Sequence, residues 1–153
     1  ILLLQQLLQV TELNTSLWTL THADDFAAGF TGVSGNKKAH VEAFHITSDE
    51  ALTWNQIYQI TAQALGHTAN IVHVSSQKIC QYLPDKTGSL LGDKSHSALF
   101  DNSKIKQYHP KFKAKVSYQE GIKRTLAWFE ADEQRQIINT KKNQIIEKIL
   151  YEA

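Results

Sequence analysis

The chain has 153 residues, enough for one domain with its own core. Its 16 basic and 15 acidic side chains nearly cancel, which excludes a strong overall field toward nucleic acid or an anionic membrane. Hydrophobic residues make up 42% and charged residues 20%, the balance of an ordinary soluble globular protein. The single cysteine, Cys80, excludes an internal disulfide framework and fits a reducing compartment, so the expected location is the cytoplasm.

Residues 1–10 are apolar apart from three glutamines, about half the length of a membrane-spanning helix. They also lack the basic flank and cleavage pattern of a signal peptide. The chain contains no methionine, and its start reads as unnatural. Residues 17–21 read as a strand running into Asp24-Asp25, whose carboxylates suit the free N–H groups of a helix start. That helix places Phe26, Phe30 and Val33 on one face and ends at Gly35-Asn36. Residues 43–46 form a second expected strand. Thr53 and Gln56 make a capping box ahead of a stripe of Trp54, Ile57, Tyr58, Thr61 and Leu65, which Gly66 stops.

Residues 71–74 read as a third strand, followed by a helix that opens at Ser75 or Ser76 and ends before Pro84. Residues 85–97 form a loop rich in Gly, Ser and Lys. Leu99-Phe100 looks extended, and Asp101 or Asn102 caps a short helix through Ile105. Ser117 and Glu120 make a second capping box, for a helix carrying Ile122, Thr125, Leu126 and Phe129. Residues 141–151 complete the chain as an amphipathic helix through Ile145, Ile146, Ile149 and Leu150. Short strands alternating with helices make an α/β layout, with the α+β-like character of a fragment.

Two motifs match a pattern and fail its physics. Gly29, Gly32 and Gly35 in GFTGVSG have the spacing of a dinucleotide-binding turn. Such a turn needs a buried strand ahead of the glycines and a helix N-terminus after them. Here a capped helix start precedes them and a loop follows, so they read as a helix end. Tyr82 and Lys86 have YxxxK spacing, but Pro84 breaks the helix that would bring both side chains to one face. The gap between the two motifs is also too short for the intervening βαβ units of about 30 residues each. No catalytic and no cofactor-binding residue is assigned.

The run SLWTLTHADDFAAGF resembles the segment of extended short-chain dehydrogenases in which a strand enters a helix through a His-x-Asp-Asp-like turn. EAFHITSDEALTWNQIYQITAQALG is similar to the family's phenylalanine-asparagine strand and the Thr-initiated helix ending in Leu-Gly. GDKSHSALFDNSKIKQYHPKF is similar to the Gly-Asp, Asp-x-Ser-Lys and Pro elements, and EGIKRTLAWF to the family's terminal helix. These blocks span residues 16–129 in the right order, about three quarters of the chain. The resemblance implies the C-terminal, substrate-side portion of an NAD(P)-dependent epimerase/dehydratase. In that family an N-terminal Rossmann half holds the nucleotide and the catalytic Tyr/Lys pair. Nothing before Ser16 resembles that half, so the expected division is a truncated or frame-damaged lead at 1–15, a substrate-side domain at 16–131 and a helical tail at 132–153. The sequence departs from sugar-nucleotide members, which carry two diphosphate-gripping arginines; Trp18 and Leu90 stand at the positions aligned with them.

The candidate substrate contacts are Trp18, His22, Asp93, Lys94 and His96. Trp18 either stacks on a ring of the ligand or packs in the core. His22 either points into a cleft or shapes its own turn, and Asp25 reads as a helix cap. Asp93, Lys94 and His96 share a long polar loop, suited to binding or simply to solvent. The seven histidines show no metal spacing, so no metal is assigned, and Cys80 reads as a small buried residue. The expected chain binds no cofactor alone, its parent uses NAD(P) on a small molecule, and it forms a homo-oligomer. The rival readings are a free-standing, self-associating assembly module and an RNA-associated relative that has lost catalysis. No aromatic platform accompanies Lys111, Lys113 and Lys115, so nucleic acid is not expected.

Overall fold

The structure, a computed structural model, describes residues 16–152. The expected lead at 1–15 lies outside the described residues. The described chain is mixed α/β and mostly helical, with two strands of two residues each, β1 (Leu17–Trp18) and β2 (Leu52–Thr53). They pair antiparallel, Leu17 opposite Thr53 and Trp18 opposite Leu52. A parallel bridge joins Trp18 to Ala98 on the other side.

The alternation of strands with helices is thinner than the sequence suggests. Residues 43–46 and 71–74 take no regular secondary structure and have no ladder partner among the described residues, and Leu99-Phe100 likewise forms no strand. Their side chains still serve the core. Phe44 and Ile46 pack with Val33, Ile105 and Phe112 in one cluster, and Val72 and Val74 with Ile79 and Ile149 in a second. Apolar pattern marks side chains that reach the core, whereas backbone pairing depends on a distant neighbour that the pattern does not contain.

The helices follow the sequence closely. Helix α1 (Ala23–Ser34) opens at His22, α2 (Trp54–Ala64) at the reciprocal Thr53–Gln56 box and α3 (Ser76–Tyr82) at Ser75. Short α4 (Ser103–Tyr108) follows Asn102, whose side chain does not cap it; Asp101 accepts from the Ser103 N–H instead. Helix α5 (Tyr118–Glu130) opens at Ser117, whose hydroxyl accepts from the Glu120 N–H, and α6 (Thr140–Tyr151) opens at Asn139. The expected loop over 85–97 is partly ordered, holding a 3-10 turn at Pro84–Lys86 and a π-helical turn at Gly88–Asp93. Ile149 of α6 is fully buried, so the C-terminal helix completes the second cluster.

Helix α1 buries a different stripe from the expected one. Asp25, Gly29 and Val33, four residues apart, face inward, while Phe26 and Phe30 are 50% and 56% exposed and lie against each other. The Asp25 carboxylate accepts from the Lys115 and Val116 N–H groups, both at 2.9 Å. It is therefore not the cap of α1. It ties that helix to the segment leading into α5, where Glu50 accepts from the Tyr118 N–H at 2.7 Å.

An ion pair links α4 to the 47–50 segment. Asp49 accepts from the Lys106 ammonium at 2.7 Å and the Asn102 amide at 2.8 Å, and these hydrogen bonds hold its carboxyl below the ordinary value of 3.8. A depressed folded pKa stabilises the fold fully above the unfolded value, and the gain is lost as pH falls through the folded one. The Asp49→Asn variant is thus expected to be slightly less stable than the parent near neutral pH, the pair being solvent-screened. The gap should close below the unfolded value of 3.8, as urea midpoints at two pH values will show.

Candidate functional site

Strand β1 carries Trp18, Asp93 ends the π-helical turn, and the loop that follows carries Lys94 and His96. Four hydrogen bonds bring them together. The Ser16 hydroxyl donates to the Lys94 carbonyl at 3.3 Å, and the Leu17 N–H donates to the Ser97 hydroxyl at 3.0 Å. The Ala98 N–H donates to the Leu17 carbonyl at 2.8 Å, and the Thr19 N–H returns to the Ala98 carbonyl at 3.3 Å. The loop is therefore laid along β1, which explains why candidates about eighty positions apart share one place.

At this junction the Lys94 ammonium lies 4.9 Å from the Trp18 ring centre and 4.9 Å from that of Trp54. The two indoles are 5.4 Å apart and tilted by 52°. Pairing β1 with β2 brings Trp54, the first residue of α2, beside Trp18. Tyr58, one turn later, extends the aromatic wall at 6.0 Å from Trp54, and burial raises its hydroxyl pKa. Trp54 was absent from the expected site because its helical spacing reads as core. The only sequence signal was its place inside the capping box, between Thr53 and Gln56, which says nothing about Trp18.

Two donors at the junction lack partners among the described residues. Trp18 Nε1 and Trp54 Nε1 are both buried and have no hydrogen-bond partner among the described residues. A buried donor left unsatisfied costs about 1–3 kcal/mol. Lys94 is half-buried, and no carboxylate pairs with it among the described residues. Asp93 and His96 are exposed on the same loop.

His22 stands apart from this cluster. Its Nδ1 accepts from the Asp24 N–H at 3.2 Å, so it is the N-cap of α1 and shapes its own turn. Its ring lines a small crevice with Leu20, Val116, Tyr118 and Gly121, where a Cβ added to Gly121 would lie 3.0 Å from the imidazole.

The two pattern-matching motifs occupy other surroundings. Gly29 and Gly32 lie within α1 against Ile46, Phe112, Ile105 and His109, so side chains fill the space a pyrophosphate would need. GFTGVSG does not fit a nucleotide. Tyr82 ends α3 and donates to the Glu152 carboxylate, whereas Lys86 lies beyond Pro84 and pairs with Asp85 at 3.1 Å. They do not share a helix. Among the described residues no cluster of His, Cys, Asp and Glu could hold a metal.

No family model matches the chain. Over 68 residues, 44% of its length, it is 32% identical to 2'-dehydrokanamycin reductase of Streptomyces kanamyceticus, and the match covers 19% of that protein. Its structure is similar to that of dTDP-glucose 4,6-dehydratase from Bacillus anthracis, solved in complex with NAD. The TM-score is 0.62 at 18% identity, covering 85% of this chain and 36% of that one. The chain thus matches about a fifth of the curated relative and about a third of the solved structure. The resemblance read from the sequence holds for the fold: the chain carries part of an extended short-chain dehydrogenase fold like that of the dehydratase, and over 68 residues it is similar to a reductase.

Proposed function

We propose that this chain is the substrate-side portion of an NAD(P)-dependent epimerase, dehydratase or reductase. It supplies ligand contacts, while the nucleotide and the reacting tyrosine–lysine pair belong to another part of that fold. The fold match, over 85% of the chain and 36% of the dehydratase, supports the relation to such enzymes, and the ordered sequence blocks over residues 16–129 are what support the substrate side. The packed glycines of GFTGVSG support it, because the described motif nearest to a nucleotide turn is filled by side chains.

The ligand contacts are assigned to Trp18, Lys94, Asp93 and His96 around the β1 junction, with His22 as a shaping residue of the neighbouring turn. Both relatives are named for small-molecule substrates, and only that class is carried over to this chain. The proposed location is the cytoplasm, in keeping with the lone Cys80. Among the described residues no helix is long and apolar enough to cross a membrane.

Titration with NAD(H) and NADP(H), read by calorimetry, tests the reading. The expected result is no saturable binding in the micromolar range, and saturable micromolar binding by this chain alone overturns it. A second reading, a self-associating module, is favoured by the stacked, half-exposed Phe26 and Phe30 of α1. It requires a dimer or larger species in sedimentation; a monomer that binds no hydrophobic dye removes it.

A further inference from the structure

We propose that helix α6 is a strap: docked on α3, it holds the π-helical turn Gly88–Asp93 and so keeps the loop of Lys94 and His96 on β1. Its release frees that loop. The inference concerns regulation of the ligand contacts proposed above and rests on that reading for its meaning.

Helix α6 is held by one face of its second half. Residues 136–142, which form its lead and first turn, are exposed. Ile145 and the fully buried Ile149 then pack with Val74 and with Ile79 of α3 in the second cluster. A polar clasp closes the end of the helix, where Tyr82 donates to the Glu152 carboxylate and the Lys78 ammonium to the Glu152 carbonyl. The docking thus depends mainly on two isoleucines.

The π-helical turn leans on the same cluster through Leu90, its third residue. Such turns are rare, occur mostly singly and recur at functional sites. Lys94 stands four residues beyond Leu90, and its N–H closes the turn on the Ser89 carbonyl at 2.8 Å. The loop then runs onto β1 through Ser97 and Ala98. It is held at two ends, by Leu90 on the second cluster and by hydrogen bonds on β1. The Leu17–Ser97 bond is exposed, and a bond open to water contributes little net stability. Burial of Leu90 is the other hold, and α6 completes the cluster that provides it.

The first cluster, Val33, Ile105 and Phe112, shares no residue with the second. Undocking α6 is therefore a local opening, one that loosens the loop before it loosens α1 or α4. The coupling runs both ways: whatever fixes the loop on β1 tightens α6 by the same free energy.

Amide hydrogen exchange in the full chain reads the strap, with Ile149→Ala and Ile105→Ala as a matched pair. Both isoleucines are fully buried, one in each cluster. The reporters are the N–H groups of Lys94, Ala98 and Thr19, which bond at the turn and at the β1 junction. In Ile149→Ala they should exchange about tenfold or more faster than in the parent, against at most about threefold in Ile105→Ala. Leu90→Ala should in turn speed exchange along α6. If an alanine variant fails to fold, valine at the same two positions gives smaller changes in the same order. Equal acceleration of the reporters in the two variants overturns the strap, since loop order then follows global stability alone. Unchanged α6 exchange in Leu90→Ala overturns it too, as does fast exchange of α6 beside fully protected reporters. The nucleotide titration stays independent. Saturable NAD(P) binding overturns the substrate-side reading and leaves the exchange difference standing, whereas equal exchange overturns only this inference.

Discussion

Replacing Asp25 by alanine is expected to destabilise the fold by about 3–5 kcal/mol, a large loss for one side chain in a domain of this size. Asp25 is 5% exposed, and its two carboxylate oxygens take the Lys115 and Val116 N–H groups at 2.9 Å each. Alanine leaves both backbone donors without their acceptor, and each then carries its own desolvation penalty. The damage also spreads along the chain. Those residues lead directly into Ser117, the cap of α5, and α5 packs on α2 through the hydrogen bond between the Tyr118 and Thr61 hydroxyls at 2.9 Å. Asp25→Asn keeps one carbonyl oxygen and turns its other group into a donor facing a donor, so it should recover only part of the loss. Urea unfolding followed by circular dichroism measures both variants against the parent. Were Asp25 simply a cap of α1, alanine would cost about 1 kcal/mol, and that result would reject the tie between α1 and α5.

The misreading of Asp25 shows where sequence reasoning reached its limit. Helix starts were legible because caps act locally: Thr53 with Gln56, Ser75 and Ser117 all open the helices their spacing announced. The inward face of α1 was not legible, because its buried positions are a carboxylate and a glycine while two phenylalanines remain exposed. Hydrophobic periodicity selects the phenylalanines, and only long-range partners at Lys115 and Val116 reveal Asp25. The candidate site was half legible for the same reason. Trp18 and Lys94 stand out by their chemistry, one an aromatic in a strand and the other a cation on a loop. Their meeting at 4.9 Å depends on hydrogen bonds between β1 and residues 97–98, which no local signal encodes. Trp54 completes the pair through a strand of two residues, too short to be read from periodicity.

The glycines of GFTGVSG allow the packing reading of that motif to be tested against the nucleotide reading. A Cβ at position 29 would lie 2.4 Å from Ile46 Cγ2, 2.8 Å from Phe112 Cε2 and 3.1 Å from Ile105 Cδ1. Ile105 is fully buried and Phe112 nearly so, which leaves the cluster little room to yield. Overpacking of this kind costs about 1–3 kcal/mol. Alanine regains up to about 1 kcal/mol through its better helix propensity, so Gly29→Ala should still lose roughly 1–2 kcal/mol. At Gly32 the obstacle is the His109 imidazole, 2.5 Å away but only partly buried, so the ring can turn and the loss should be smaller. Gly35 has nothing within 4 Å and a φ of −91°, where alanine is unstrained, and its replacement should be neutral within about 0.5 kcal/mol. The order Gly29, Gly32, Gly35 in urea midpoints is what close helix packing demands. A phosphate-cradling turn demands instead that alanine abolish nucleotide binding at positions where it leaves stability intact. Intact stability in Gly29→Ala, together with loss of a measurable NAD(P) affinity, would reverse the assignment of this motif and the substrate-side reading with it.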